Sequence, residues 1–189
     1  MKPSLVPFFG LLVATACTSP DRTLQEQHTT ARPVAKPAPR RFYWPLDKAV
    51  ERQDTLLPGP QRYRVQVVTA CLNDSAVVNS ESDDAGPLLA VSHNYQSDLF
   101  VSRGAKPWLH QRLTKALFLG HPVAQRFAPA QEWALSHTAF LAYKQGEFRF
   151  YTRLAIPDSD IFVEAEVALT PAQGVRVVSI RPQAEGTEE

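Results

Sequence analysis

The chain is poor in sulfur and glycine and carries almost no net charge. Of its 189 residues only two are cysteine, one is methionine and eight are glycine, and 20 basic residues face 19 acidic ones. Two cysteines cannot by themselves make a disulfide-stapled miniprotein, a four-cysteine zinc site or an iron–sulfur cluster. So balanced a charge gives no electrostatic ground for binding nucleic acid. The glycines form no phosphate-cradling loop, and neither a Gly-x-Ser-x-Gly elbow nor a His-Glu-x-x-His helix occurs. His28, His93, His110, His121 and His137 are scattered singly, at spacings that suggest no metal site. No cofactor is implied. An apolar content of 44% excludes a wholly disordered chain.

What is present first is an address. Lys2, the nine apolar residues 5–13 (LVPFFGLLV) and the small residues Ala14-Thr15-Ala16 read as a secretory signal over residues 1–16. Nine residues fall far short of the ~20 that a membrane-spanning helix needs, and Pro7 interrupts them. Cys17 follows at once. The run Val13-Ala14-Thr15-Ala16-Cys17 resembles the lipobox of bacterial lipoproteins. That resemblance implies cleavage before Cys17, a diacylglyceryl group on its thiol and an acylated amine, with fatty chains such as palmitate as the anchor. An ordinary signal peptide cut at the same bond is the alternative. Several acyl chains on one residue hold a bilayer stably where one is marginal. The 173 residues from Cys17 onward balance 19 basic against 19 acidic side chains. Cys71 is then the one thiol left, and its place in an apolar strand reads as that of a small core residue.

Residues 18–41 hold Pro20, Pro33, Pro37 and Pro39 and almost no large apolar side chain. With Cys17 they read as a lipidated, semi-rigid tether of polyproline character. Arg32, Lys36, Arg40 and Arg41 could alternatively meet an anionic lipid surface. Phe42-Tyr43-Trp44 is expected to dock the chain onto a domain spanning 42–182, and 183–189 is a short acidic tail.

Strand signals dominate that domain. Residues 62–72 alternate, with Tyr63, Val65, Val67, Thr69 and Cys71 on one face. Residues 76–79 and 88–95 are further strand candidates, separated by an acidic loop over 80–87. A hairpin is expected across Gly104, followed either by a strand and a short helix over 115–119 or by one amphipathic helix over 108–119. Residues 133–143, 148–156, 161–169 and 175–180 read as a four-stranded meander whose loops are too short for parallel crossovers. The fold class is mainly β: an antiparallel sandwich or partly open barrel with at most one or two short helices.

Residues 99–115 (LFVSRGAKPWLHQRLTK) and 148–180 (FRFYTRLAIPDSDIFVEAEVALTPAQGVRVVSI) resemble an uncharacterised, lipoprotein-associated domain of unknown function from Bacteroidetes. The likeness lies in a strand, an Arg-x-Gly turn, a strand and Thr-Lys, then an aromatic strand running into Pro-x-x-Asp and a Gly turn before the last strand. It covers about half the mature chain and departs between Gly120 and Trp133. It implies a lipid-anchored, β-rich domain and no activity.

Several candidate sites follow from the residues. Arg149, Tyr151 and Arg153 should form a cation–aromatic–cation row on one strand face, with Arg62 and Arg64 on another. If those strands are neighbours, an anionic or sugar-like ligand fits; otherwise the row pairs with Glu164 and Glu166 across the hairpin. Glu81-Ser82-Asp83-Asp84 and Asp158-Ser159-Asp160 are the richest oxygen clusters, without EF-hand spacing. Asp158 and Asp160 are expected to bond their own tight loop. Asp54-Thr55-Leu56 and Asp74-Ser75-Ala76 resemble Bacteroidetes O-glycosylation sites, which would require Thr55 and Ser75 to be exposed.

Together these readings describe a cell-envelope lipoprotein, at the outer membrane or periplasmic face rather than the inner membrane. Its partner would be the lipid bilayer through Cys17, joined by an envelope protein or a small ligand of the β domain, with no nucleic acid. An envelope hydrolase whose site converges only in three dimensions, near His110 or His137, is the first rival. A purely structural envelope protein is the second.

Overall fold

A computed structural model describes residues 38–182. The expected signal, Cys17, most of the tether and the acidic tail lie outside the described residues. Within them the chain runs β1 (Arg40–Tyr43), β2 (Val50–Leu56), β3 (Tyr63–Cys71), β4 (Val77–Asp83), β5 (Gly86–Ser92), β6 (Tyr95–Arg103) and β7 (Lys106–Thr114). A 3₁₀ turn (Lys115–Phe118) and helix α1 (Pro122–Phe127) follow, then β8 (Ala134–Lys144), β9 (Glu147–Ala155), β10 (Phe162–Thr170) and β11 (Gly174–Pro182).

Two four-stranded antiparallel sheets, ordered β2-β3-β6-β7 and β11-β10-β9-β8, bury their apolar faces in one shared core. The result is a β-sandwich, open at its edges. Alternation dictates which side chains enter it. On β9, Phe148, Phe150, Thr152 and Leu154 are buried and the residues between them are not. On β10, Val163, Ala165, Val167 and Leu169 are buried in the same way. Tyr63, Val65, Val67, Leu99 and Val101 supply the opposite face, and Phe118, Ala124 and Trp133 close one side. Cys71 ends β3 half-buried, its sulfur against Asn73.

Four buried hydroxyls interrupt this apolar interior. Thr69 meets Ser97 at 2.8 Å, Ser97 donates to Thr138 at 2.8 Å, and Thr138 meets Thr152 at 3.0 Å. Thr152 ends the chain on the carbonyl of His137 at 2.7 Å. The row joins β3 and β6 of one sheet to β8 and β9 of the other, so the sheets are bonded as well as packed.

β-Bulges explain the exposed large apolar residues of the long strands. The register skips Trp108 on β7, Ser136 and Leu141 on β8, and Val178 on β11. Each is the extra residue of its bulge. Leu141, Trp108 and Val178 are accordingly 54%, 38% and 37% exposed. On β8 the two bulges stretch the inward spacing, so that Leu135, Thr138, Phe140 and Tyr143 face the core side.

Three sequence expectations change. Residues 80–83 are strand, not acidic loop, and only Asp84 and Ala85 turn. Residues 108–114 are extended, which removes the amphipathic-helix alternative, while Pro122 starts a helix that was not anticipated. His121 caps it through Nδ1, accepting from Val123 N–H at 3.3 Å. Finally, β1 pairs in parallel with β5 in a third sheet, ordered β1-β5-β4. The aromatic docking segment is therefore a strap whose four β1 side chains are all exposed. Main-chain bonds and an Arg40–Asp83 ion pair hold it.

Candidate functional site

Arg149, Tyr151 and Arg153 do share the outward face of β9, but all three are engaged within the sheet. Arg149 forms ion pairs with Glu147 at 2.5 Å and Glu166 at 2.9 Å, and Arg176 reaches Glu147 at 2.6 Å. The Arg176 bond holds the Glu147 carboxyl below its ordinary range, against the opposing effect of burial. Tyr151 Oη donates to Glu164 at 2.9 Å; Arg153 Nε donates to Tyr151 Oη at 3.3 Å, and its guanidinium lies 4.0 Å above the Phe162 ring. Arg62 and Arg64 belong elsewhere. β3 bonds to β2 and β6, not to β9, and Arg64 is paired with Asp54. Arg62 sits in the turn before β3 at φ +47°. The five residues thus form two separate groups, and the pairing with Glu164 and Glu166 accounts for the first.

Ser75 is exposed, whereas Thr55 is half-buried in β2 opposite Val65. The two acidic loops also separate. Glu81 and Asp83 lie in β4, and among the described residues no group of three or more His, Cys, Asp or Glu is arranged to hold a metal ion. The 157–160 loop is bonded by Ser159, not by its aspartates: Ser159 Oγ donates to the Ile156 carbonyl at 2.9 Å and accepts from Ile161 N–H at 3.2 Å. His110 is bound to Asp98 at 3.0 Å and stacked on Phe100, while His137 Nδ1 stands 3.6 Å from Glu51.

The more developed site is at the end of the sandwich where β5 passes into β6 and β9 into β10. Two adjoining clefts of about 420 and 460 Å³ share Asp47, Tyr95, Pro157 and Asp158. Trp44, Leu46, Ser92 and His93 line the first; Glu51, Arg153, Asp160 and Phe162 help line the second. The strap enters this end under tight control. Asp47 N–H donates to Asn73 Oδ1 at 2.9 Å, and Asn73 Nδ2 returns a bond to the Asp47 carbonyl at 2.8 Å. Tyr95 Oη donates to Asp47 Oδ2 at 3.0 Å, and burial, then this carboxylate, pushes the phenol well above its usual range.

A second carboxylate fixes the neighbouring turn. Asp74 accepts from Asn94 N–H and Nδ2 at 3.0 and 2.8 Å and from Ala76 N–H at 3.3 Å. Burial acts to raise the Asp74 carboxyl, but these bonds outweigh it and hold it below its ordinary value.

Ser92 and His93 are each only 6% exposed, and Ser92 Oγ and His93 Nε2 have no hydrogen-bond partner; Asn79 Oδ1, Asn94 Oδ1 and Arg149 Nε share that state, but only Ser92 and His93 line the two clefts. Buried polar groups are almost always paired, so an orphan at a cleft marks a place built for something else. His93 Nδ1 accepts from Ser75 N–H at 3.0 Å, which places the ring proton on Nε2. In a Ser-His-Asp triad Nδ1 donates to the acid. The bonding here is the reverse, so His93 is not set as the base of such a triad. Sequence reasoning placed Ser92 and His93 in a strand and weighed His93 only as one of five scattered histidines. The available signal was the break from apolar Leu88-Leu89-Ala90-Val91 to polar Ser92-His93-Asn94 at a strand's end.

The sequence matches no known protein family, and no curated protein matches it.

Proposed function

We propose that this protein is a lipid-anchored lipoprotein of the bacterial cell envelope whose β domain is a ligand-binding module, with the Trp44–His93–Asp158 cleft as its site. The anchor reading rests on residues 1–17. The binding reading rests above all on the orphaned Ser92 Oγ and His93 Nε2 in a cleft with aromatic walls. The site lies where the strap joins the sandwich.

Two measurements test the halves separately. Intact mass of membrane-extracted protein is expected to show an acylated Cys17; an unmodified, soluble product would remove the anchor. Hydrogen exchange of the full chain, with and without the small-molecule fraction of its own envelope, tests the module. Protection is expected at 44–49, 92–95 and 156–161, and protection confined to other segments would remove the cleft.

A further inference from the structure

We infer that the cleft takes a neutral saccharide, a conclusion that rests on the binding reading above and names its ligand class. Three requirements are on display in the lining, and a saccharide meets all three where an anion, an amine and a purely apolar ligand do not.

The first is an acceptor. His93 presents a buried Nε2–H with no partner, because Nδ1 is already committed to Ser75 N–H. Ser92 Oγ beside it in sequence is also unpartnered and can donate or accept. The second is tolerance of negative charge. Asp47, Glu51, Asp158 and Asp160 line the joined clefts against one guanidinium, that of Arg153, which is already engaged with Tyr151 and Phe162. Asp47 is bonded to Tyr95, but Asp158 and Asp160 sit on an exposed loop whose own side-chain bonds are made by Ser159. The third is an apolar platform. The Trp44 indole is 36% exposed and is flanked in the lining by Pro45, Leu46 and Pro157.

An anion would accept from His93 but meet four carboxylates. An amine would suit the carboxylates and the indole face, yet it brings only donors and leaves the His93 N–H orphaned. A purely apolar ligand would leave both orphans in place. A saccharide carries hydroxyls that accept from His93 and donate to carboxylates, and a C–H face that lies on an aromatic ring. The platform is fixed in place, because the Trp44 N–H donates to the Val91 carbonyl of β5 at 2.9 Å.

The test uses full-length, ¹⁵N-labelled lipoprotein in detergent, following the Trp44 indole N–H by NMR, assigned with Trp44→Phe. Maltohexaose, cellohexaose and chitohexaose are the neutral probes; hexagalacturonate is the anionic probe and the chitosan hexamer the cationic one. At least one neutral hexasaccharide is expected to shift the Trp44 signal in a saturable way. His93→Ala and Ser92→Ala should each weaken it about tenfold, and Trp44→Ala should abolish binding measured by calorimetry. His93→Gln, which keeps a side-chain N–H, should retain more affinity than His93→Ala. Trp108→Ala, outside the cleft lining, should bind as wild type. Ser92→Ala and Trp44→Ala keep the test decisive should His93→Ala fail to fold. A shift with the anionic or cationic probe alone overturns the saccharide assignment and leaves the binding module standing. No shift with any of the five overturns the saccharide assignment, and the hydrogen-exchange measurement then decides the binding module by itself.

Discussion

The Ser97 hydroxyl donates to Thr138 Oγ1 at 2.8 Å across the interior between two sheets, where Ser97 is wholly buried and Thr138 only 4% exposed. Ser97 also bonds Thr69, so its removal strands a partner on either side. Ser97→Ala is expected to cost about 1–3 kcal/mol, because buried hydroxyls left unpaired bear their full desolvation cost. Adding Thr69→Val and Thr138→Val should recover part of that loss, since the one hydroxyl left in the row, Thr152, keeps its bond to the His137 carbonyl. Urea denaturation of the two variants checks both statements.

Asp54 and Arg64 form an exposed ion pair across β2 and β3. The Arg64 hydrogen bond, aided by Gln66, lowers the Asp54 carboxyl from 3.8 to about 2. A depressed folded-state value means that any stabilisation is complete above the unfolded carboxyl's range and is lost as pH falls toward 2. Carbon-13 NMR titration should give a midpoint near 2 in the wild type and a return toward 3.8 in Arg64→Gln.

The β8–β9 hairpin turns through Gln145 at φ +53° and Gly146 at φ +82°. Two successive positive φ values mark the mirror-image turn that matches strand twist. Nothing lies within 4 Å of where a Gly146 Cβ would be, so sterics with neighbours are not the issue. Gly146→Ala should destabilise by about 1–2 kcal/mol through the left-handed backbone alone, measured by thermal melting. Asn at the same position should cost less than Ala.

The proposed acylation leaves Cys71 as the only thiol of the mature chain. Denatured protein extracted from membranes should titrate with one thiol per chain, and Cys71→Ser should abolish the signal. Two thiols per wild-type chain would show that Cys17 is unmodified.

The sandwich was legible in the sequence wherever the period of two runs unbroken. On β9 and β10 every buried residue from Phe148 to Leu154 and from Val163 to Leu169 follows the alternation, Ala168 being one addition. β8 was legible as a strand but not in phase, because Ser136 and Leu141 each insert a residue. β2 escaped notice since Val50-Glu51-Arg52-Gln53-Asp54-Thr55-Leu56 is mostly polar, and it is an edge strand held by its neighbour β3. The cleft was illegible for a different reason. Trp44, His93 and Asp158 come from three distant segments, and only pairing of β1 with β5 and turning of β9 into β10 brings them together. The Arg149 row was read correctly as a face; only the register revealed that Glu147 and Glu166 pair with Arg149 and Glu164 with Tyr151.

The parallel strap gives the domain a defined response to mechanical load. Outward force on the chain before Arg40 strains the Arg40–Asp83 pair first and then the β1–β5 hydrogen bonds one after another, as a zip opens. The peel stops at Asp47, where two opposed bonds to Asn73 clamp the backbone. A few residues of slack would thus be released at low force, removing the wall that Trp44 provides while the sandwich itself stays intact.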